Sequence, residues 1–186
     1  MEKIPQQHTG NCIKIVLFGP ESTGKTTLSK KLSEYYDGAW VPEFAREYLQ
    51  QKWDEEQKIC EPQDILSIAI GQMKLENEAV DSGKKTVFCD TDLLETKVYS
   101  EAYYDGWCDT QVAEAAKSNT YDLYLLTYID TPWQADDLRD RPEQREEMFE
   151  YFRQALIDND RPYILVKGSL EERLQFITNH LNSLLI

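Results

Sequence analysis

Residues 19–26 read Gly-Pro-Glu-Ser-Thr-Gly-Lys-Thr, the pattern G-x-x-x-x-G-K-T of a phosphate-binding loop. The apolar run at 12–18 before the loop predicts a buried strand, and the apolar spacing at 25–36 after it predicts a helix. A chance glycine-lysine turn is the alternative, but that strand-turn-helix context favours the loop. Its backbone N–H groups are then expected to surround phosphate oxygens. The predicted nucleotide-contacting residues are Gly19, Pro20, Glu21, Ser22, Thr23, Gly24, Lys25, Thr26 and Thr27.

A second element supports this interpretation. The strand-like residues 86–89 end in Asp90, as in the strand that places a carboxylate beside the magnesium ion of nucleotide-binding loops. A strand that ends in aspartate is common, so the prediction depends on its pairing with the loop. We expect Lys25 to bridge the β- and γ-phosphates of ATP, and Thr26 and Asp90 to hold Mg²⁺.

Length and composition limit the other function classes. The 186 residues, 41% of them hydrophobic, predict one globular domain over 1–186. A net charge of −14 argues against a nucleic-acid partner, and the absence of a long apolar run argues against a membrane span. The opening residues do not form a signal peptide, and the four cysteines are widely spaced, which favours a reducing, cytoplasmic setting. The expected partner is a small-molecule substrate.

The order of the elements predicts an α/β fold with three layers. Short apolar strands alternate with helical patterns, which indicates a central parallel sheet with helices on both faces. A polar segment at about 130–147 is expected to form a small lid. The predicted strands are 12–18, 39–42, 86–89, 121–126 and 163–166, and the predicted helices are 25–36, 44–52, 64–81, 93–104, 110–118, a helix that ends near 156, and 170–185.

Two further carboxylates are candidates for catalysis. Glu43 follows the second strand, where it would face the ligand crevice and could accept a proton from an attacking hydroxyl. Alternatively, it only favours the first turn of the next helix. Asp92 could act directly on the reaction or could cap the helix that begins at residue 93.

The polar segment at 136–145 carries arginines among acidic residues. One interpretation is a solvated surface loop. The other is a lid whose arginines, Arg139 and Arg145, neutralise charge on the transferring phosphoryl group and exclude water. A lid of this kind is typical of a kinase, and the sequence contains no N-K-x-D or T-K-x-D motif that would recognise guanine.

Together these motifs resemble the nicotinamide riboside kinase family, specifically the kinase domain of NadR-type proteins. The resemblance extends over about residues 12–175 and rests mainly on four segments. They are the loop at 19–27, Pro-Glu-Phe-Ala-Arg-Glu-Tyr at 42–48, Phe-Cys-Asp-Thr-Asp at 88–92, and Thr-Pro-Trp at 131–133 through Leu-Arg at 138–139.

The resemblance implies transfer of the γ-phosphate of ATP to the 5′-hydroxyl of nicotinamide riboside. It implies ATP and Mg²⁺ at the loop with Asp90, substrate and general-base roles near Glu43, Arg46, Asp90 and Asp92, and lid electrostatics at Arg139 and Arg145. The base remains open between Glu43, Asp90 and Asp92. Aromatic rings would stack on the pyridinium of the substrate, and Tyr103 is the ring that we assign to substrate binding, although core packing is the alternative for each of them. These rings are Trp40, Tyr99, Tyr103, Tyr104 and Trp107.

The sequence departs from NadR-type proteins in one respect. It has only His8 and His180, so it lacks the H-x-G-H motif of an adenylyltransferase domain. We therefore expect it to perform at most one of the two salvage steps and not to bind operator DNA. Two other functions are kept open: a kinase for another nucleoside or nucleotide, and a nucleotide-switched binding module with weak ATPase activity. The sequence does not indicate an oligomeric state.

Overall fold

The computed structural model describes residues 2–136, 138 and 142–183. Strands and helices alternate along these residues, as the sequence predicted. The strands are β1 (Ile13–Phe18), β2 (Ala39–Val41), β3 (Thr86–Asp90), β4 (Leu123–Thr127) and β5 (Tyr163–Val166). The helices are α1 (Lys25–Tyr35), α2 (Phe44–Glu56), α3 (Asp64–Asp81), α4 (Leu93–Tyr103), α5 (Thr110–Ser118), α6 (Arg145–Asp158) and α7 (Leu170–Asn182), and a short 3₁₀ turn covers Pro142–Gln144.

The five strands form one parallel sheet in the order β2-β3-β1-β4-β5, which confirms the predicted fold class. Its register aligns the carboxyl ends of the three central strands: Leu17 of β1 lies opposite Asp90 of β3, and Phe18 lies opposite Leu126 of β4. The loop after β1 and the carboxylate that ends β3 therefore meet at one edge of the sheet. This is the edge at which α/β sheets bind their ligands.

Helices cover both faces of the sheet because successive strand residues point in opposite directions. Val16 and Phe18 belong to a core shared with α3, α4, α5 and α6. Ile15 and Leu17 belong to a second core shared with α1 and α7. β1 is fully buried from Ile15 onwards and connects the two cores. The result is the predicted three-layer arrangement, with the phosphate-binding loop supported from both sides.

Helix α2 is longer than the sequence pattern predicted. We expected a helix over 44–52 followed by a charged loop, whereas α2 continues to Glu56. Polar side chains one turn apart support the additional turn, as when the Gln50 amide donates to the Asp54 carboxylate at 3.0 Å. Polarity alone was therefore a poor guide, since charged side chains can pair along an exposed helix.

Two other boundaries differ from the prediction. β4 begins at Leu123 rather than at 121, because the Asp122 carboxylate accepts the N–H of Lys14 and so anchors the chain just before the strand. α7 ends at Asn182, before the predicted end at residue 185, and residues 184 and 185 of that prediction lie outside the described residues. Throughout the described part of the chain, no helix is both long and apolar enough to cross a membrane.

Candidate nucleotide-binding and catalytic site

The loop between β1 and α1 is held close to β4. Gly19 has a φ of 144°, and a β-carbon there would lie 2.6 Å from Thr127 Oγ1. Gly24 has a φ of 84° and immediately precedes the first residue of α1. Both positions therefore require glycine, the first for close approach and the second for a left-handed turn. Seven consecutive loop residues line the main cleft of the protein: Glu21, Ser22, Thr23, Gly24, Lys25, Thr26 and Thr27.

Lys25 points back across its own loop. Its ammonium donates to the carbonyls of Gly19 at 2.6 Å and Pro20 at 3.1 Å, and lies 3.1 Å from Glu95 Oε1. Burial alone would lower the pKa of Lys25, but the carboxylates of Glu95, Glu43 and Asp90 raise it above its ordinary value. The lysine is thus fully charged and faces the space where phosphate would bind.

Thr26 and Asp90 are joined as a metal site of this kind requires. The Thr26 hydroxyl donates to Asp90 Oδ2 at 2.5 Å, and the second oxygen, Oδ1, is buried without a hydrogen-bond partner among the described residues. Burial raises the pKa of Asp90, while Lys25 and the Thr26 hydroxyl act against that shift. An orphaned carboxylate oxygen beside a loop threonine matches the oxygen ligands that Mg²⁺ prefers. The described residues contain no cluster of three or more metal-binding side chains.

Glu43 and Arg46 line the same cleft at the start of α2. Glu43 is the N-cap residue of α2, but its side chain makes no capping hydrogen bond and lines the cleft instead. Its charge acts on Lys25, so the two side chains face a common space. The Arg46 guanidinium pairs with Asp136. Burial would lower the pKa of Arg46, but Asp136 and Glu43 raise it.

Asp92 caps α4, as one of the two interpretations predicted. Its carboxylate accepts the N–H of Glu95 at 3.0 Å and the hydroxyl of Tyr124 at 2.7 Å. Thr91, with a φ of 80°, separates Asp90 from Asp92. Asp90 and Thr91 are found among the described residues that line the cleft, whereas Asp92 is not. Burial raises the pKa of Asp92 to about 6, against the effect of the Tyr124 hydrogen bond. The structure therefore does not bring Asp92 to the reacting groups.

Glu95 is a site residue that the sequence analysis missed. It is 2% exposed, and its carboxylate contacts the Lys25 ammonium and the N–H of Gly19. Burial raises its pKa well above the ordinary value, with Lys25 acting in the opposite direction. The spacing of Asp92 and Glu95 resembles a capping box, which assigns the glutamate to the helix end. Here only the aspartate caps the helix, and the glutamate turns to the lysine.

Aromatic side chains form part of the cleft wall. Tyr103, which we predicted to bind substrate, lies there with Tyr99. The buried hydroxyl of Tyr99 has no hydrogen-bond partner in the described structure. Trp40 is oriented by a 3.0 Å hydrogen bond from its indole N–H to Ser29, and Tyr104 also lines the cleft. Of the predicted aromatic residues, only Trp107 is missing from the described lining, and its ring packs against Tyr104.

The structure describes only one of the two predicted lid arginines, Arg145. Arg139 lies outside the described residues, so its predicted role stays a prediction. Arg145 begins α6 and donates to the carbonyl of Thr131 at 2.9 Å and to that of Ser22 at 3.2 Å. Its guanidinium also lies 5.7 Å from the centre of the Trp133 ring. Arg145 thus joins the segment after β4 to the phosphate-binding loop, which is where a lid would attach.

Arg173 is the second residue that the sequence analysis missed. It lies in the first turns of α7 and is 2% exposed. Its guanidinium donates to the carbonyl of Thr23 at 2.6 Å and to that of Gly168 at 2.9 Å, and it pairs with Asp130. These contacts fix the middle of the phosphate-binding loop to the segments that follow β4 and β5.

The loop, the carboxylates and the aromatic side chains surround one continuous cleft of about 1240 Å³. Lys25, Thr26 and Asp90 lie on the loop side, and Glu43 and Arg46 lie on the α2 side. A cleft that holds one phosphate-binding loop and a separate acidic and aromatic wall can bind two molecules beside each other. Its geometry therefore suits the transfer of a group between a nucleotide and a second ligand.

The chain is similar to proteins of known identity. It is 30% identical over 125 residues to the trifunctional NAD biosynthesis/regulator protein NadR of Salmonella typhimurium. The aligned region covers 67% of this chain and 30% of that protein. A solved structure of a NadR protein in complex with NR has a TM-score of 0.71 at 22% identity, covering 85% of this chain and 46% of the other. Deoxyadenosine kinase from M. mycoides has a TM-score of 0.65 at 18% identity, covering 92% and 100%.

The match to the curated relative confirms the resemblance that the motifs indicated, although the chain spans less than a third of that relative's length. The solved structures share the fold. A family described as the AAA domain matches residues 14–173, from the second residue of β1 to the buried arginine of α7. The chain belongs to this AAA domain family.

Proposed function

We propose that the protein is an ATP-dependent kinase that phosphorylates the 5′-hydroxyl of nicotinamide riboside and produces nicotinamide mononucleotide. The observation that carries the proposal is the single cleft in which Lys25 and the loop face Glu43 across a shared space. The NadR relative, whose name includes NAD biosynthesis, and the NadR structure in complex with NR support this choice of acceptor.

ATP would bind with its phosphates on the loop. The backbone N–H groups of the loop and the positive end of α1 would hold the β- and γ-phosphates, and Lys25 would neutralise charge that develops during transfer. Thr26 and Asp90 would hold Mg²⁺, since their paired oxygens and the orphaned Oδ1 of Asp90 suit a hard cation. When bound, the ion supplies charge neutralisation at the phosphoryl oxygens.

The riboside would occupy the wall formed by the start of α2 and by α4. Glu43 would accept the proton of the 5′-hydroxyl while the hydroxyl oxygen attacks the γ-phosphorus and ADP leaves. Arg46 and Tyr103 would position the substrate, and an aromatic face suits its positively charged ring. The acidic surface of the protein, with a net charge of −14, also favours a cationic substrate.

Closure of the segment after β4 would complete the site. Arg145 already joins that segment to the phosphate-binding loop, and the pair between Arg46 and Asp136 joins it to α2. Arg139, the last residue of the Trp-x-x-x-x-Leu-Arg segment at 133–139, would contribute a cation to the transferring group from this lid. The free thiols of all four cysteines support the reducing, cytoplasmic setting that we proposed from the sequence.

A kinase for another nucleoside is the second candidate, and the likeness to deoxyadenosine kinase supports it at the level of the fold. The two candidates are separated by incubating the protein with ATP, Mg²⁺ and nicotinamide riboside, adenosine, uridine or thymidine, and measuring ADP release and the phosphorylated product by mass spectrometry. We expect nicotinamide riboside to react well ahead of the others. Preferred phosphorylation of another riboside would overturn the proposed acceptor, and ADP release without any phosphorylated product would overturn kinase activity.

A further inference from the structure

Glu95 holds two groups of the phosphate-binding loop at once. Its Oε1 lies 3.1 Å from the Lys25 ammonium, and its Oε2 accepts the N–H of Gly19 at 3.4 Å. An ammonium and a backbone N–H of this loop are the kinds of donor that phosphate oxygens require. A carboxylate therefore lies where a phosphate group would make its contacts.

The surroundings of Glu95 make this contact unusual for a helix-end glutamate. The side chain is 2% exposed and Oε1 makes no hydrogen bond in addition to its ion pair. The neighbouring charged and titratable groups are Lys25 from α1, Glu43 before α2, Asp90 at the end of β3, and Tyr99 one turn further along α4. Lys25 is thus the cation that compensates the buried carboxylate, and the other neighbours are acidic.

We propose that Glu95 is a positioning residue that occupies Lys25 and the Gly19 N–H in the nucleotide-free loop and is displaced from both when a triphosphate binds. The proposal rests on nucleotide binding by the loop, which is part of the proposed function, and does not depend on the identity of the acceptor. Glu95 thereby keeps the buried lysine in place before the nucleotide arrives and competes with the phosphates for it.

Displacement leaves Glu95 without its cation, next to two other carboxylates. A buried carboxylate that loses its partner becomes protonated, because burial and like charges both disfavour the ionised form. Burial already raises the pKa of Glu95 well above its usual range while Lys25 opposes the shift. Nucleotide binding is therefore coupled to uptake of a proton from solvent by Glu95, and affinity falls as pH rises wherever the free protein holds Glu95 ionised.

The test is isothermal titration calorimetry of the whole chain with ATP and Mg²⁺ at pH values from 6 to 9.5, in paired buffers with different ionisation enthalpies. The difference in heat gives the number of protons bound. On binding ATP, wild type should take up more protons than Glu95→Gln, by as much as one per nucleotide. Subtracting the two proton numbers removes the contribution of the nucleotide itself. At the alkaline end, Glu95→Gln should bind ATP about tenfold more tightly, the factor that corresponds to one pH unit.

Glu101→Gln is the matched control. It removes a carboxylate from the same helix, but Glu101 is partly exposed and pairs with Lys97 one turn away. This variant should show the proton number and affinity of wild type. Equal proton numbers in wild type and Glu95→Gln at every pH would overturn the proposal. If Glu95→Gln does not fold, Glu95→Asp replaces it, since the shorter side chain keeps the charge but withdraws it from Lys25. The Glu95→Asp protein must then also bind ATP more tightly than wild type.

The outcomes separate this inference from the proposed function. Proton uptake that depends on Glu95, in a protein that phosphorylates no riboside, would support the role of Glu95 and overturn the kinase assignment. Phosphorylation of nicotinamide riboside, together with ATP binding and proton uptake that do not depend on Glu95, would support the kinase assignment and overturn the role of Glu95.

Discussion

The Thr26 hydroxyl donates to Asp90 Oδ2 at 2.5 Å and so connects the first turn of α1 to the carboxyl end of β3. The two residues are far apart in sequence, and the register of β1 against β3 brings them together. Because Asp90 Oδ1 has no partner in the described structure, the pair retains an oxygen for a further ligand. The strand register therefore assembles the nucleotide side of the site.

Lys25→Ala should abolish phosphoryl transfer. Loss of a cation that stabilises the transition state lowers kcat by about 10²- to 10³-fold or more. Lys31→Ala is the control, because Lys31 is an exposed lysine in the same helix. Steady-state kinetics give the rates, and circular dichroism shows whether both variants keep the fold. Normal turnover in folded Lys25→Ala would remove the loop lysine from the mechanism.

The pairing of loop and acid could be predicted from sequence because each is a local pattern at the end of a strand. The N-cap of α4 was likewise one of two local interpretations of Asp92, and it is confirmed. Local patterns also explain what was missed: Glu95 has the spacing of a capping residue, and nothing in the surrounding sequence reveals that it turns to Lys25. Only the packing of α4 against the carboxyl edge of the sheet decides that.

Arg173 shows the same limit over a longer distance. Its sequence neighbourhood is a capping box at Ser169 and Glu172, which correctly predicts the start of a helix. The guanidinium, however, donates to the carbonyl of Thr23 in the loop at the other end of the chain. No periodicity encodes such a contact, since it depends on the order of the strands in the sheet.

Glu43→Gln should lower kcat by about 10²- to 10⁴-fold, the range of general acid-base catalysis, with little change in ATP affinity. The amide keeps the shape of the side chain but cannot accept the proton of the attacking hydroxyl. Glu56→Gln, at the exposed end of the same helix, is the control. Rates come from steady-state kinetics and ATP affinity from calorimetry. An unchanged kcat would transfer the role of base to Asp90, which also lines the cleft.

Gly19→Ala should destabilise the protein by about 3 kcal/mol, because backbone strain and overpacking each cost about 1 to 3 kcal/mol. The added β-carbon would lie 2.6 Å from Thr127 Oγ1. Gly83→Ala tests strain alone, since Gly83 also has a positive φ but has nothing within 4 Å of an added β-carbon. It should cost about 1 kcal/mol. Urea unfolding measures both, and equal losses would mean that the contact between the loop and β4 is not tight.

Asp92 should make stability fall as pH rises. Burial raises its folded-state pKa from 3.8 to about 6, so the folded protein holds this proton more tightly than the unfolded chain. The associated stability is complete below pH 4 and is lost as pH rises through 6. At about 1.4 kcal/mol per pKa unit, the loss is on the order of 3 kcal/mol.

Asp92→Asn tests this directly, because asparagine also caps helices but does not titrate. Urea unfolding of wild type and variant at several pH values between 4 and 7.5 gives the difference in free energy of unfolding. The difference should shift in favour of the variant as pH rises, with half of the change reached near pH 5 and little further change above about pH 6. Asp109→Asn is the control, since Asp109 caps α5 in the same way without being fully buried, and its difference from wild type should not follow this course. A flat difference for Asp92→Asn would show that Asp92 is already ionised throughout this range, which would require solvent or a cation at the base of α4.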